Sequence, residues 1–312
     1  MDKLTDKKII LVTRKTRLEN LIVRYNTIQQ AKFFIEHSGN DFSDYQEENQ
    51  QYKGVINKVV GILEGIGNLH VIDREFLPNY LFGVNDIVVV VGQDGLVANT
   101  LKYLENQPLI GVNPDPMRWD GVLLPFLPED LHKIIMEVVK KQRRYEEITL
   151  AQVELNDRQK LYAVNDFFIG QKTHISARYT IHYSGEKEQQ SSSGIIVSTG
   201  LGSTGWFKSI LAGASGVAST CYNKSIELKP YEKFHWNSDF LYYTVREPYP
   251  SKWTSASLVF GKIDRRHTFK VLSQMPEGGV IFSDGVENDY LEFNSGIEAT
   301  VKVADKKGLL VV

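Results

Sequence analysis

Five β-branched residues in a row, Ile87-Val-Val-Val-Val91, stop abruptly at Gly92-Gln-Asp-Gly95, and a helix-compatible stretch from Leu96 to Leu104 follows at once. An uninterrupted apolar run of this kind suits a strand buried on both faces, as in a parallel sheet. The turn after such a strand lies at the carboxyl edge of the sheet, where open α/β folds bind ligands. Glycines let the backbone approach an anion, and the first amides of the next helix point at it. Asp94 is the odd member of the turn. An acid beside a phosphate site repels the ligand unless it binds Mg²⁺ or handles a proton. The plain alternative is a strand-to-helix turn with Asp94 as its N-cap.

The 312 residues exceed the usual single-domain range, so two domains are expected. Short apolar runs alternate with helical stretches over residues 1–130. Ile9–Val12, Leu69–Val71, Ile87–Val91 and Leu109–Asn113 read as strands. Leu18–Glu36 and Val55–Gly65 read as helices, the second ended by Gly65, with Asp41–Tyr52 as a loop or the start of that helix. This is the rhythm of a parallel sheet with crossover helices. After the helix-like Pro128–Gln142 the texture changes to short, often alternating strands. They are Thr149–Leu155, Lys160–Ile169, Ala177–Tyr183, Gly194–Ser198, Ser257–Phe260, Thr268–Leu272, Val280–Ser283 and Thr300–Val303. Glu186–Ser193 reads as a polar hairpin tip. The fold class expected is therefore α/β, with an N-terminal parallel-sheet nucleotide-binding domain (1–130) followed by a β-rich, sandwich-like domain (131–312). The C-terminal tail is a candidate to return to the first domain.

A net charge of −2 gives no bulk attraction for nucleic acid or anionic lipid, so neither nucleic acid nor membrane is expected as a partner. Cys221 stands alone, which excludes an intrachain disulfide and fits a reducing compartment. The polar start, Met1 to Lys8, followed only by Ile9–Val12, offers no secretory core or span, so a cytoplasmic location is expected.

A second glycine cluster, Ser198-Thr-Gly-Leu-Gly-Ser-Thr-Gly205, follows a strand and precedes a possible helix from Trp206 to Leu211. Gly200, Gly202 and Gly205 spell the dinucleotide fingerprint G-x-G-x-x-G, with Glu227 near the place of the ribose-binding acid. That fingerprint wants a βαβ unit, whereas this one sits among alternating strands. The hydroxyls of Thr199, Ser203 and Thr204 suit phosphate or ribose better. No Walker A pattern occurs. The seven histidines lack zinc-ligand spacing, Ser193, Ser203 and Ser209 lack a nucleophile elbow, and Arg14, Lys15 and Arg17 read as a solvated basic cluster.

Taken in order, Gly92-Gln-Asp-Gly95, Gly111-Val-Asn-Pro114, Val164-Asn-Asp-Phe167 and Ser198-Thr-Gly-Leu-Gly-Ser-Thr204 resemble the GGDGT, GVN, NE and TPTGSTAY-like segments of the ATP-dependent NAD kinases. The resemblance is closest to the branch with the mitochondrial enzymes, shared features including Lys15-Thr-Arg-Leu-Glu19, Ser192-Ser-Gly194 and Asp284-Gly285. It implies transfer of the γ-phosphoryl group of ATP, with Mg²⁺, to the adenosine ribose 2′-hydroxyl of NAD(H), at a site between the domains of a homodimer or higher homo-oligomer. Carried over by position, Asp94 is the catalytic acid facing that hydroxyl. Asn165, Asp166, Thr204, Gly205 and Ser209 hold the dinucleotide, and Gly92, Gln93, Gly95, Thr199, Gly202 and Ser203 frame the donor phosphates. No residue is assigned as a metal ligand.

Departures from the family pattern fall in the turns. Gln93 and Leu96 replace a glycine and the threonine of GGDGT, Gly200 and Leu201 replace a proline and a threonine, and Trp206 replaces a tyrosine. Two other readings stand beside that of an NAD kinase: a kinase of a lipid, sugar or nucleoside acceptor, whose phosphate loop is similar, and, from Gln93 and Leu96, a nucleotide-binding regulator without catalysis.

Overall fold

Four strands pair in parallel, three of them nearly continuous buried apolar runs and the fourth, at the edge of the sheet, largely exposed. They are β1 (Lys8–Thr13), β2 (Asn68–Asp73), β3 (Ile87–Val91) and β4 (Pro108–Val112), in the order β2-β1-β3-β4. Leu309 and Leu310, near the end of the chain, add a parallel neighbour to β4. The computed structural model describes residues 3–228 and 234–312, which form two units: 1–146 with 309–312, and 147–308.

In the first unit, α1 (Arg17–Tyr25), α2 (Ile28–His37) and α3 (Phe42–Ile66) lie between β1 and β2, and α4 (Asp94–Leu101) links β3 to β4. The helical stretch expected over Leu18–Glu36 is two helices, because Asn26 turns left-handed at φ 66° and Thr27 caps the second through the Gln30 amide. The end expected at Gly65 is also corrected. The helix runs on to Ile66, which is buried in the sheet's core, and Gly67 caps it. Burying an isoleucine outweighs the roughly 1 kcal/mol that an internal glycine costs a helix. Asp41–Tyr52 is the start of this same helix, with Asp41 accepting the Ser43 amide as N-cap. Helix α5 (Leu131–Val139) buries Leu131, Ile134, Ile135 and Val138 in the same core, so the division falls at Glu146 rather than near 130.

The second unit is built from β5 (Tyr145–Leu155), β6 (Lys160–Ala163), β7 (Asp166–Gln171), β8 (Ala177–Tyr183), β9 (Glu186–Ser192), β10 (Ile195–Ser198), α6 (Trp206–Tyr222), β11 (Leu241–Val245), β12 (Phe260–Ile263), β13 (Phe269–Ser273), β14 (Gly279–Ser283), β15 (Val286–Glu292) and β16 (Glu298–Val311). One sheet runs β16-β13-β8-β9 with β5 and β6 beside it, and the other β12-β11-β10-β7-β14-β15. Phe167 and Ile169 of β7, Ile195 and Val197 of β10, and Tyr243 of β11 meet Tyr179, Ile181, Phe269 and Val271 in one core. The intervening residues Phe168, Ile196 and Val280 turn to the other face, where Trp206 and Ile210 of α6 pack on them. Alternation by two thus gives one sheet two buried faces.

Three expectations change here. Glu186–Ser193 is not a tip but the strand β9, joined to β8 by Ser184 and Gly185, both at positive φ. Lys160–Ile169 is two strands, broken at Val164 and Asn165, with β6 on β5 and β7 on β10 and β14. The strand expected at Ser257–Phe260 begins at Phe260, and β9, β11 and β15 are strands beyond those expected.

Tyr52, from α3, ties the ends of two sheet strands. Its hydroxyl donates to the Val91 carbonyl at 2.9 Å and accepts the Arg14 amide at 3.0 Å. Burial holds its pKa up to about 12, so it stays a donor. Tyr52→Phe leaves both backbone groups unpartnered, and urea unfolding is expected to register a loss of about 1–3 kcal/mol.

Candidate active site

In the first unit the glycine-bearing turn is built from four elements. β3 delivers it, and Gln93 takes the N-cap position of α4 without a side-chain cap bond. Asp94 is therefore the first helical residue rather than the N-cap. Its Oδ1 accepts the Leu123 amide at 2.7 Å, which fixes the carboxylate from a loop 29 residues away. Leu123 can stand there because Gly111 of β4 has no side chain: a Cβ at 111 would lie 2.1 Å from the Leu123 carbonyl oxygen. Asn113 closes the same loop, accepting the Asp115 amide and donating to the Trp119 carbonyl, each at 3.0 Å. Gly92 is covered by Leu96, whose Cδ2 lies 2.8 Å from where a Cβ would stand. Gly95 is exposed, with open space where its side chain would be. The turn thus presents a bare backbone and one anchored carboxylate at the N-terminus of α4, the arrangement that receives phosphate elsewhere.

The second unit assembles Asn165, Asp166, Thr199 and Gly202. Thr199 is fully buried, and its hydroxyl donates to the Val164 carbonyl at 2.5 Å. Its own amide donates to Asn165 O at 2.9 Å. Gly202 is pressed onto the same residue, since a Cβ there would lie 2.1 Å from the Asn165 carbonyl oxygen. Ser203 spends its hydroxyl on the Gly200 carbonyl at 2.7 Å. Thr204, Gly205 and Ser209 are exposed around the start of α6. The G-x-G-x-x-G spelling follows an antiparallel strand, β10 between β7 and β11, and so lacks the parallel unit that a dinucleotide fingerprint needs.

Asp284 is a residue of this cluster that the site reading from sequence left out. It sits in the turn between β14 and β15, and its carboxylate accepts the amides of Val164 at 3.1 Å and Asn165 at 2.6 Å. A longer contact of 3.4 Å reaches the Asp166 amide. The signal available in the sequence was the Asp-Gly pair, which reads as a hairpin turn. Asp166 itself is half-buried, and its carboxyl is pushed up to about 7, first by burial and then by the charge of Asp284.

The basic cluster expected to be solvated is instead ion-paired. Arg14 pairs with Glu48 at 3.0 Å, Arg17 with the same Glu48 and with Asp44 at 2.7 Å, and Lys15 with Glu75 at 2.7 Å. Thr16 and Glu19 between them form a reciprocal capping box for α1. Among the described residues no group of three or more His, Cys, Asp or Glu stands together as a metal cage.

A raised carboxyl pKa has a stated sign in stability. Protonated Asp166 is favoured in the folded chain, so its stabilising contribution is full below the unfolded value and is lost as pH rises through about 7. Asp166→Asn is expected to flatten that fall, read as melting temperature against pH between about 4 and 8. An unchanged slope would remove Asp166 as its source.

No family model matches the chain. In sequence it is 26% identical over 156 residues to the NAD kinases of two Saccharolobus islandicus strains, a match covering 50% of this chain and 56% of each relative. The chain thus spans about half the length of the curated relatives it matches. In structure it superposes on an NAD kinase from Archaeoglobus fulgidus in complex with ATP with a TM-score of 0.54 and 17% identity, over 98% of this chain and 93% of that one. It superposes on a yeast NADH kinase complexed with NADH with a TM-score of 0.55 and 14% identity, over 99% and 84%. The chain is therefore similar to NAD kinases in sequence over half its length, and it has their fold over nearly all of it.

Proposed function

We propose that the chain is an ATP-dependent NAD kinase, moving the γ-phosphoryl group of ATP to the adenosine ribose 2′-hydroxyl of NAD(H). The observation that carries this reading is the anchored Asp94 in a bare glycine turn at the carboxyl end of β3, together with the locked Asn165-Asp166 turn of the second unit. The two solved kinases of the same fold, one bound to ATP and one to NADH, support the choice of substrates.

In this reading the new bond joins the ribose oxygen to the γ-phosphorus, and the bond from that phosphorus to the β,γ-bridging oxygen breaks, releasing ADP. The transition state is loose, so alignment and charge neutralisation matter more than covalent help. Mg²⁺ bound with the donor would neutralise charge on its phosphate oxygens, and no residue of the chain is assigned to hold it. Gln93 and the exposed Gly95 present backbone to the donor phosphates, with Gly92 covered by Leu96 behind them. With Oδ1 held by Leu123, Asp94 offers its other oxygen to the ribose hydroxyl, orients it, and accepts its proton late, an effect of order 10²–10⁴-fold. Asn165 and Asp166, with the exposed Thr204, Gly205 and Ser209, hold the dinucleotide. A homo-oligomer, a cytoplasmic setting and kinship with the mitochondrial branch complete the proposal.

One observation favours a second reading. Leu96 fills the space over Gly92 where the family's pattern has a threonine, which suits a nucleotide-binding regulator as well as a kinase.

Incubation with Mg²⁺, ATP and NAD is expected to yield NADP. ATP and NAD binding measured by calorimetry without turnover would favour the regulator. Asp94→Asn is expected to keep NAD binding and lose most turnover; undiminished NADP formation would remove Asp94 from the mechanism. Gly95→Ala separates stability from activity. The residue is helical with open space around it, so alanine should raise stability by about 0.4–1 kcal/mol. Its methyl also occupies the ground a phosphate needs, so NADP formation should fall as the melting temperature rises.

A further inference from the structure

We propose that Asp284 is a positioning residue for the dinucleotide site, its carboxylate holding the backbone of Val164, Asn165 and Asp166 so that the Asn165 and Asp166 side chains are set for substrate. The proposal rests on the kinase reading for the identity of that substrate, and on geometry for everything else.

The geometry is unusual for a turn residue. Asp284 and Gly285 form a two-residue hairpin loop with φ of 55° and 69°, values for which Asp-Gly and Asn-Gly serve equally. The turn alone therefore does not require a carboxylate. Yet both carboxylate oxygens lie 3.1 Å from the Val164 amide, and Oδ1 lies 2.6 Å from the Asn165 amide. The Asp284 amide returns a bond to the Asp166 carbonyl at 3.1 Å. These are the residues where the chain leaves β6 for β7, and their amides are taken by an anion instead of a neighbouring strand. Amide bonds to a carboxylate are charge-assisted and stronger than neutral ones. The other side of the same segment is closed by Thr199 and Gly202, so the two residues meant to face substrate are gripped from two directions. A side chain on a backbone held this way is oriented before substrate arrives, which is what a recognition residue needs.

Asp284→Asn is the discriminating variant. Asparagine keeps the hairpin and the size, but it removes the charge and one of the two acceptor oxygens. The KM for NAD is expected to rise about tenfold or more, the loss of one charge-assisted bond, with the KM for ATP little changed. Among the described residues, Asp284 is the charged group whose field raises the Asp166 carboxyl, so the pH dependence of NAD binding should move to lower pH in this variant. Gly285→Ala strains the same turn without touching the carboxylate. It should lower the melting temperature while leaving the KM ratio and the pH midpoint in place.

A readout that needs no turnover keeps this separate from the kinase reading. In the unaltered protein, hydrogen exchange should find the Val164 and Asn165 amides protected although they lie between strands, and Asp284→Asn should speed their exchange. Absence of NADP formation with those amides protected would sink the kinase and leave the clamp. Loop-like exchange at 164 and 165, or an Asp284→Asn variant with NAD kinetics and pH midpoint like those of Gly285→Ala, would overturn the clamp itself.

Discussion

Backbone laid directly on backbone is the constraint from which both polar turns follow. At Gly111 a strand passes so close to the Leu123 carbonyl that even a methyl group has no room, and at Gly202 a turn does the same to Asn165. Each close approach exposes backbone groups that need partners, because buried polar atoms are expensive to leave bare. In the first unit the Leu123 amide finds the carboxylate of Asp94. In the second, the carbonyls of Val164 and Asn165 find Thr199, and their amides find Asp284. The side chains that carry chemistry are thus fixed by the same hydrogen bonds that make the crossings affordable. Removing a glycine would shift a carboxylate or an amide two or more residues away in space, without touching either directly.

What the sequence made legible was whatever is local. The run Ile87–Val91 announces a strand buried on both faces, and all five residues are fully buried. Its ending at two glycines announces the turn, and Asp94 is found in it. Leu123, which anchors Asp94, carries no local mark, because its contribution is a backbone amide that any residue other than proline has. The break in Lys160–Ile169 was hidden for a related reason. Nothing in Val164-Asn165 says that its amides are spoken for by a side chain 119 residues later. β9 was misread because its residues are polar, yet the strand pairs with β8 across seven residues and buries Gln190 and Ser192 against the Tyr179 hydroxyl. Polar side chains that find partners in a sheet look, in sequence, like a loop.

The segment Lys15 to Glu19 shows a different limit. As a string it is a basic cluster, and electrostatics alone would leave it in water. Glu48 of α3 is almost fully buried and lies between Arg14 and Arg17, so the two guanidiniums serve the helix packing. A buried carboxylate flanked by arginines adds little net stability but is costly to break, since removing one partner strands a charge. The resemblance to a kinase branch through these residues is therefore compatible with a purely structural origin: a capping box and an ion-paired helix.

Three aspartates make the environment's part plain. Asp94 bonds to a single amide and stays partly exposed at the N-terminus of a helix. Asp284 accepts the amides of Val164 and Asn165, charge-assisted bonds that tie it to the backbone of the neighbouring turn. Asp166, next to that fixed charge and partly withdrawn from water, is pushed to about 7 and so changes charge near neutrality. Burial and a neighbouring carboxylate thus set Asp166 apart from an ordinary aspartate. With its pKa raised, Asp166 takes up a proton more readily beside the Asp284 carboxylate, which lessens the repulsion between them. The turn at 165–166 can therefore hold both acids within one cluster.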